Sequence, residues 1–244
     1  MQERVARHVL DMVPDGLSPS CILDAGCGPG RLLAMALQRW PDAQGIGVDI
    51  APGMIQHAAT RVTGRHPIDW VVADAAIYQP TRRIDLVVSS SALHWLQPFE
   101  SGIAHVVALA RPGGLAALAI LLDGTMRELR AAREAVAPHK PPAGRLPTMH
   151  RFEEAIRNLP GARIRRLEQV TSEYDMPSAA DVLSGVHAMG VTGGDVSRSH
   201  APLTRRELQQ LTQWYDRHAA SPNGVRVTFV VGYALVEWPR ELDA

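Results

Sequence analysis

Apolar positions along this chain change their spacing in a regular alternation. Residues 1–13, MQERVARHVLDMV, put Val5, Val9, Leu10, Met12 and Val13 on one side of a helix. Pro14 and Asp15-Gly16 end it. A short apolar run at roughly 20–25 then enters Gly26-Cys27-Gly28-Pro29-Gly30, and Leu32-Leu33-Ala34-Met35-Ala36-Leu37 follows at helical spacing, which predicts a strand, a tight turn and a helix to about 40. The pattern repeats. Gly45 to Ile50 reads as a strand, Pro52-Gly53-Met54 opens a helix to about 63, and Asp69 to Asp74 and Ile84 to Ser90 read as two further strands. Phe99 to Ala110 has the spacing of a helix, stopped by Arg111-Pro112-Gly113-Gly114, and Leu115 to Leu122 is a fifth strand. Strands alternating with helices predict an α/β fold whose sheet is parallel and covered on both faces.

Beyond this point the alternation loosens. A helix is expected at Met126 to Val136, a Pro/Gly-rich loop at Pro138 to Pro147, a helix near 151–158 and a strand near 162–174. Two helical pieces, about 178–189 and 204–219, flank Gly190-Val191-Thr192-Gly193-Gly194, and a long β-branched strand runs from Val225 to Trp238. The strands number seven. The chain is expected to be a single domain, 1–244, with a helical cap from about 123–150 and 176–222.

With 244 residues, 46% of them apolar and 20% charged, the composition is that of an ordinary globular protein. Formal net charge is zero, so no global field argues for nucleic acid or an anionic membrane as partner. There is no apolar run of membrane-spanning length, and a soluble cytoplasmic protein is the simplest expectation; oligomeric state is left open, with a monomer favoured. Cys21 and Cys27 match no zinc spacing and make no disulfide framework, so no metal site is expected.

The glycine-rich turn narrows the chemistry. Alternate glycines after a strand let the backbone turn sharply and leave no side chain between it and a ligand, while the following helix offers its N-terminal N–H groups. A dinucleotide fingerprint beginning at Gly26 and Gly28 needs a third glycine or alanine at position 31, which is Arg31. The glycines are Gly26, Gly28 and Gly30, with Asp24 two residues upstream. This arrangement resembles the D-x-G-x-G-x-G motif of class I S-adenosyl-L-methionine (SAM)-dependent methyltransferases. In that family an acid closing the second strand takes the ribose hydroxyls, here Asp49, and one closing the third meets the adenine amine, here Asp74-Ala75. Asp85 to Ser90 and Arg111 to Gly114 fit the later motifs. The resemblance implies a Rossmann-like class I methyltransferase sheet with SAM as cofactor. The contacts it implies are Asp24, Gly26, Gly28, Gly30, Asp49, Ile50, Met54, Asp74, Ala75, Ser89 and Ser90.

Several later segments resemble one subfamily, the malonyl-acyl-carrier-protein O-methyltransferases. Ser89-Ser90-Ser91-Ala92-Leu93-His94-Trp95 is similar to its S-N-x-A-L-x-W motif, and Asp123 to Leu129 to its Gly-Thr/Ser-x-x-Glu-Leu. Arg145-Leu146-Pro147, Val186 to Thr192, Leu203-Thr204-Arg205 and Val227 to Tyr233 continue the likeness. It implies methylation of the free carboxylate of a malonyl thioester on acyl carrier protein, the start of the pimeloyl moiety of biotin. A carboxylate, with a pKa near ~4, is already a nucleophile at neutral pH, so no catalytic general base is expected. Arg145 is the candidate carboxylate anchor, because an arginine fork fits that geometry, with His94 and Trp95 as further substrate-binding candidates.

The carrier is acidic in that pathway. Residues 127–166, with ten Arg/Lys against four acids, read as a basic docking face that would bind less tightly in salt. Some positions depart from the subfamily. Gly144, His187 and Val191 replace its commoner residues, and the chain begins inside the first helix, without the preceding stretch whose aromatic residue helps close the site. That is expected to reflect either truncation or divergence. Two other readings stay open: a different carboxylate or small-molecule methyltransferase, and a non-catalytic SAM-binding partner protein.

Overall fold

The computed structural model describes residues 1–140, 144–188 and 202–238. Expectations placed on Gly190 to Gly194, and on Met189 to Thr192 of the subfamily likeness, lie outside these residues. Helix α1 (Gln2–Asp11) leads into β1 (Cys21–Ala25), α2 (Arg31–Arg39), β2 (Gln44–Asp49), α3 (Pro52–Arg61) and β3 (Asp69–Val72). β4 (Ile84–Ser90), a 3-10 turn at Leu93–Trp95, α4 (Phe99–Ala108) and β5 (Ala110–Leu121) follow. Then come α5 (Arg127–Val136), α6 (Met149–Arg157), β6 (Arg163–Met176), α7 (Ala179–Ala188), α8 (Arg205–His218), the two-residue β7 (Ala220–Ser221) and β8 (Gly224–Glu237).

Seven strands lie in the order β3-β2-β1-β4-β5-β8-β6, with β7 paired to β8 off that path. β1 to β5 are mutually parallel, as the alternation predicts. β8 departs from that rule and runs antiparallel to β5. It is entered from β7 through Pro222-Asn223, a hairpin connection rather than a helical crossover, and a two-residue β7 is too short to leave a periodic signal. β1 is buried along its whole length, as are Leu86 to Ser89 of β4 and Ala116 to Ile120 of β5.

Arg111-Pro112-Gly113-Gly114 does not precede the fifth strand as a separate turn. It lies inside β5, where the ladder to β4 steps from Ile84↔Ala110 to Leu86↔Leu115 and Gly113 sits at φ 75°. Pro112 has no N–H to give the ladder, and Asp85 holds the Arg111 guanidinium beside the slip while accepting the N–H groups of Ser20 and Cys21. Asp85 therefore ties together the amino ends of β1, β4 and β5, the end of the sheet opposite the glycine turn.

The chain divides into two compact units: Met1–Leu121 with Pro147–Val170 and Val231–Ala244, and Leu122–Leu146 with Thr171–Val230. In the first, α1 packs on α2, β4 and β5, and α4 on β5 and α6. In the second, α8 packs on α5 and α7. Its Tyr215 is fully buried and donates its hydroxyl to the Arg226 carbonyl at 2.8 Å. Helix α8 starts on Thr204, whose hydroxyl accepts from Glu207 N–H while the Glu207 carboxylate accepts from Thr204 N–H, a capping box that accounts for the Leu203-Thr204-Arg205 segment.

Candidate functional site

In the first unit the sheet order places a switch between β1 and β4, since β2 and β3 lie to one side and β4 and β5 to the other. Ligands of such sheets bind outside the carboxyl ends of the strands at that point. The glycine turn after β1 occupies it, with Gly26, Gly28 and Gly30 at φ of 73°, 52° and 80°. A Cβ on Gly26 would stand 2.3 Å from the Ala92 Cβ, and one on Gly30 would stand 2.8 Å from Val62 and 2.9 Å from Trp70. Those two glycines admit protein neighbours. At Gly28 a Cβ would meet nothing within 4 Å, so here alone among the three the glycine leaves its backbone approachable from open space.

Asp24 is 1% exposed. Gly30 has no side chain with which to cap α2, and Asp24 takes that part from the strand, its Oδ2 accepting the Leu33 N–H at 3.1 Å. Its Oδ1 has no partner. Burial raises the carboxyl to about 8; the Leu33 N–H opposes that rise and the Asp49 charge adds to it. Cys27, in the turn, is likewise pushed up by burial and behaves as an inert thiol.

Asp49 closes β2. Its Oδ2 accepts the Gly28 N–H and its Oδ1 the Ala51 N–H at the start of α3, at 2.8 and 2.9 Å, so it fixes the turn and the helix together. Met54 stands half-buried in the first turn of that helix. Asp74 lies two residues past β3, its Oδ1 accepting the Ala76 N–H at 2.8 Å, with Ala75 buried beside it. Ile50, Val72 and Ile77 are 70%, 52% and 74% exposed, three of the four large exposed apolar side chains among the described residues. They lie beside the two carboxylates along the chain: Ile50 follows Asp49, Val72 is Asp49's register partner, and the Ile77 N–H meets the Asp74 carbonyl. Val72, ending a strand, looks like core in the sequence, and only the fold shows it and Ile77, in the turn after β3, uncovered.

After β4 the expected residues separate. Ser89 is fully buried and donates its hydroxyl to the Ala25 carbonyl at 2.6 Å, joining β4 to β1, whereas Ser90 is half-buried. Ser91 sits at φ 57° with its hydroxyl buried and unpartnered, a left-handed backbone that a serine adopts only under constraint. His94 is 5% exposed and its Nδ1 accepts the Leu121 N–H at 3.4 Å, which assigns the ring proton to Nε2, also unpartnered. Burial lowers it to about 3, so it offers an N–H and never a cation; Trp95, half-buried, lies with its ring 4.8 Å away. Three of the four buried unpartnered side-chain atoms among the described residues, on Asp24, Ser91 and His94, thus belong to the carboxyl edge of β1 and the turn after β4. Such groups at a switch point suit a ligand that brings polar atoms, a cation among them, to pair with these groups.

Arg145 belongs to the second unit and has no hydrogen-bond or ion-pair partner among the described residues. The Asp123 to Leu129 segment, in the same unit, is tied to β8 at Thr228 and Val230. The Thr125 hydroxyl donates to the Val230 carbonyl and accepts the Val230 N–H, both at 3.0 Å, and Glu128 accepts from the Thr228 N–H and hydroxyl.

The basic docking face does not survive folding as a block of free charge. In the second unit Arg127 pairs with Glu128 and Glu173, Arg130 with Asp123 and Lys140 with Glu207. In the first, Arg151 pairs with Glu100, Arg157 with Glu153, Arg165 with Glu237 and Arg166 with Glu168. The balancing acids come mostly from outside 127–166, which is why counting along the chain overstated the charge. Among the described residues no group of three or more His, Cys, Asp or Glu is arranged to hold a metal, and no helix is long and apolar enough to cross a membrane.

Residues 22–114 match the model of a methyltransferase domain. Across 96% of its length the chain is 30% identical to the malonyl-[acyl-carrier protein] O-methyltransferase of Geobacter sulfurreducens, covering 90% of that protein. It is 32% identical to the trans-aconitate 2-methyltransferase of Methylobacterium radiotolerans, over 73% of this chain and 64% of that one. A candidate methyltransferase from Bacillus halodurans shares the fold at a TM-score of 0.68 and 12% identity, over 96% of this chain and 98% of the other.

Proposed function

This chain belongs to the class I SAM-dependent methyltransferases, and from that premise we propose that it methylates a carboxylate, namely the malonyl group carried by an acyl carrier protein. SAM is its cofactor. The observation that carries the reading of the acceptor is the likeness to a malonyl-[acyl-carrier protein] O-methyltransferase along almost the whole chain. The likeness to trans-aconitate 2-methyltransferases favours a second acceptor, a small free polycarboxylate. Both acceptors present a carboxylate, so the reaction class is common to the two readings.

The residues at the switch point fit the cofactor. Asp49 would take the ribose hydroxyls, Asp74 with Ala75 the adenine edge, and Ile50, Val72, Ile77 and Met54 would shelter the ring. Gly28 would admit the methionine end over its open backbone, with Gly26 and Gly30 holding the turn and Asp24 offering its unpartnered oxygen to the ammonium. Ser90 would face the reacting end, with Ser89 fixing the strand beneath it. When bound, SAM supplies a methyl group already activated by its sulfonium charge. This chain's residues then have to hold two reactants in line and exclude water, and orientation of that kind contributes roughly 7–11 kcal/mol to a bimolecular step. A carboxylate is ionised at neutral pH, so no residue is assigned as general base. Arg145, without a partner among the described residues, is the proposed fork for the acceptor carboxylate, with His94 and Trp95 shaping the turn after β4.

The deciding experiment is incubation with SAM and either malonyl-loaded acyl carrier protein or trans-aconitate, read by mass spectrometry. A gain of one methyl on the carrier supports the proposal. Methylation of trans-aconitate alone replaces the acceptor. SAM binding with neither product methylated favours the third reading, a non-catalytic SAM-binding partner protein.

A further inference from the structure

Asp24 is surrounded in a way that an ionised carboxylate tolerates poorly. Its Oδ2 has a single donor, the Leu33 N–H, its Oδ1 has none, and its side chain is sealed from water. A buried carboxylate holds its charge with two or three N–H donors or with a cation beside it. From β2 the charged group facing Asp24 is Asp49, which is of like sign. From the turn it is met by the Cys27 thiol, which burial keeps neutral. β4 brings Val88 to its register and α2 the Leu33 N–H, neither of which titrates.

Resting on the cofactor assignment above, we propose that Asp24 is protonated in the cofactor-free protein and gives up that proton when the cofactor's ammonium arrives. Cofactor recognition is then proton-coupled and selective for ligands that carry a cation at this position. One O–H bond of the Asp24 carboxyl breaks, the proton passes to solvent, and the carboxylate left behind pairs with the ammonium. The rise of Asp24 to about 8 through burial agrees with the geometry. A cation placed against Oδ1 in so dry a place reverses that rise, because Coulomb attraction strengthens as water is excluded. Affinity for SAM therefore climbs with pH below about 8, approaching tenfold per pH unit while one proton is released.

The test is isothermal titration calorimetry of the whole chain with SAM near pH 6.5, in two buffers of different ionisation enthalpy. At that pH an α-amino group, with a pKa near ~7.7–8.0, is an ammonium, so the ligand itself takes up almost nothing. The wild-type chain is expected to release about one proton per SAM bound, and Asp24→Asn none. Binding of SAM to the wild type without proton release overturns the proposal and leaves the cofactor assignment standing. Absence of any SAM binding overturns both. Release of a proton by 5′-methylthioadenosine, which keeps adenine and ribose but lacks the ammonium, overturns the selectivity. Infrared difference spectroscopy of the wild type gives the same answer without a variant. Loss of a carboxylic-acid C=O band on adding SAM is expected, and an unchanged band defeats the idea.

Discussion

A methyl group at Gly28 would find open space and a left-handed backbone, whereas the same methyl at Gly26 would collide with Ala92. The two substitutions should therefore part company. Gly28→Ala is expected to destabilise by about 1–2 kcal/mol, the cost of a side chain in that backbone region, and to weaken SAM binding at least tenfold. Gly26→Ala bears the same backbone cost and should lose roughly a further 1–3 kcal/mol through overpacking, seen as a lower Tm than that of Gly28→Ala before any ligand is added. Equal Tm values for the two variants would contradict this assignment. Arg145→Ala is expected to lower kcat/KM for the acceptor more than tenfold, about 1.4 kcal/mol, with SAM affinity unchanged; a smaller loss removes Arg145 from the anchoring role. At this scale Asp49 and Asp74 were legible because an acid at the end of an apolar run is visible as a letter. Ser91 was not, since its distinction is a φ of 57° and a hydroxyl without a partner, neither of which is written in residue type.

Elements were the most legible level, because burial on both faces of a parallel sheet forces apolar runs and helices force a 3.6-residue period. What failed was local. β5 absorbs Arg111 to Gly114 as an irregularity, and β7 is two residues long. The segment from Asp123 to Leu129 gives a sharper lesson. It was read as a mark of the subfamily, and the structure shows Thr125 and Glu128 meeting the backbone of β8 at Val230 and Thr228. A motif of that kind reports how a strand is held, so it narrows ancestry and not acceptor. Thr125→Val keeps the shape and removes both bonds to Val230, leaving the buried Val230 N–H unmatched while its carbonyl keeps the Leu122 N–H. It should destabilise by about 1–3 kcal/mol in denaturant unfolding while the folded protein binds SAM normally. Loss of SAM affinity at unchanged stability would show that the segment does more than hold the strand.

Taken whole, the cofactor-free molecule should show an asymmetric response to pH. His94 has its folded pKa lowered to about 3, so below the ordinary histidine value the unfolded chain binds a proton that the folded one refuses, and stability falls with falling pH. Asp24 is the reverse case: raised to about 8, it favours the folded state while protonated, and that advantage drains away as pH climbs from about 4 to 8. Between about 4 and 6.5 the two slopes oppose and nearly cancel. Above that range Asp24 acts alone, at up to about 1.4 kcal/mol per pH unit. Thermal unfolding should thus show a plateau at mildly acid pH and a decline toward pH 8. Asp24→Asn should abolish the decline; a decline that persists in this variant belongs to another group.

Six of the nine arginines of 127–166 meet acids on their own unit, and the chain carries no net charge. An approaching acidic carrier would consequently feel a weaker pull than the count of charges along the chain suggests. Its encounter would be governed by diffusion and orientation, at roughly 10⁵–10⁶ M⁻¹s⁻¹, instead of the far faster capture that a polarised face allows. Stopped-flow association measured from low to high ionic strength should give a nearly level line, and the discrimination between carriers would then reside in how long each stays, not in how often each arrives.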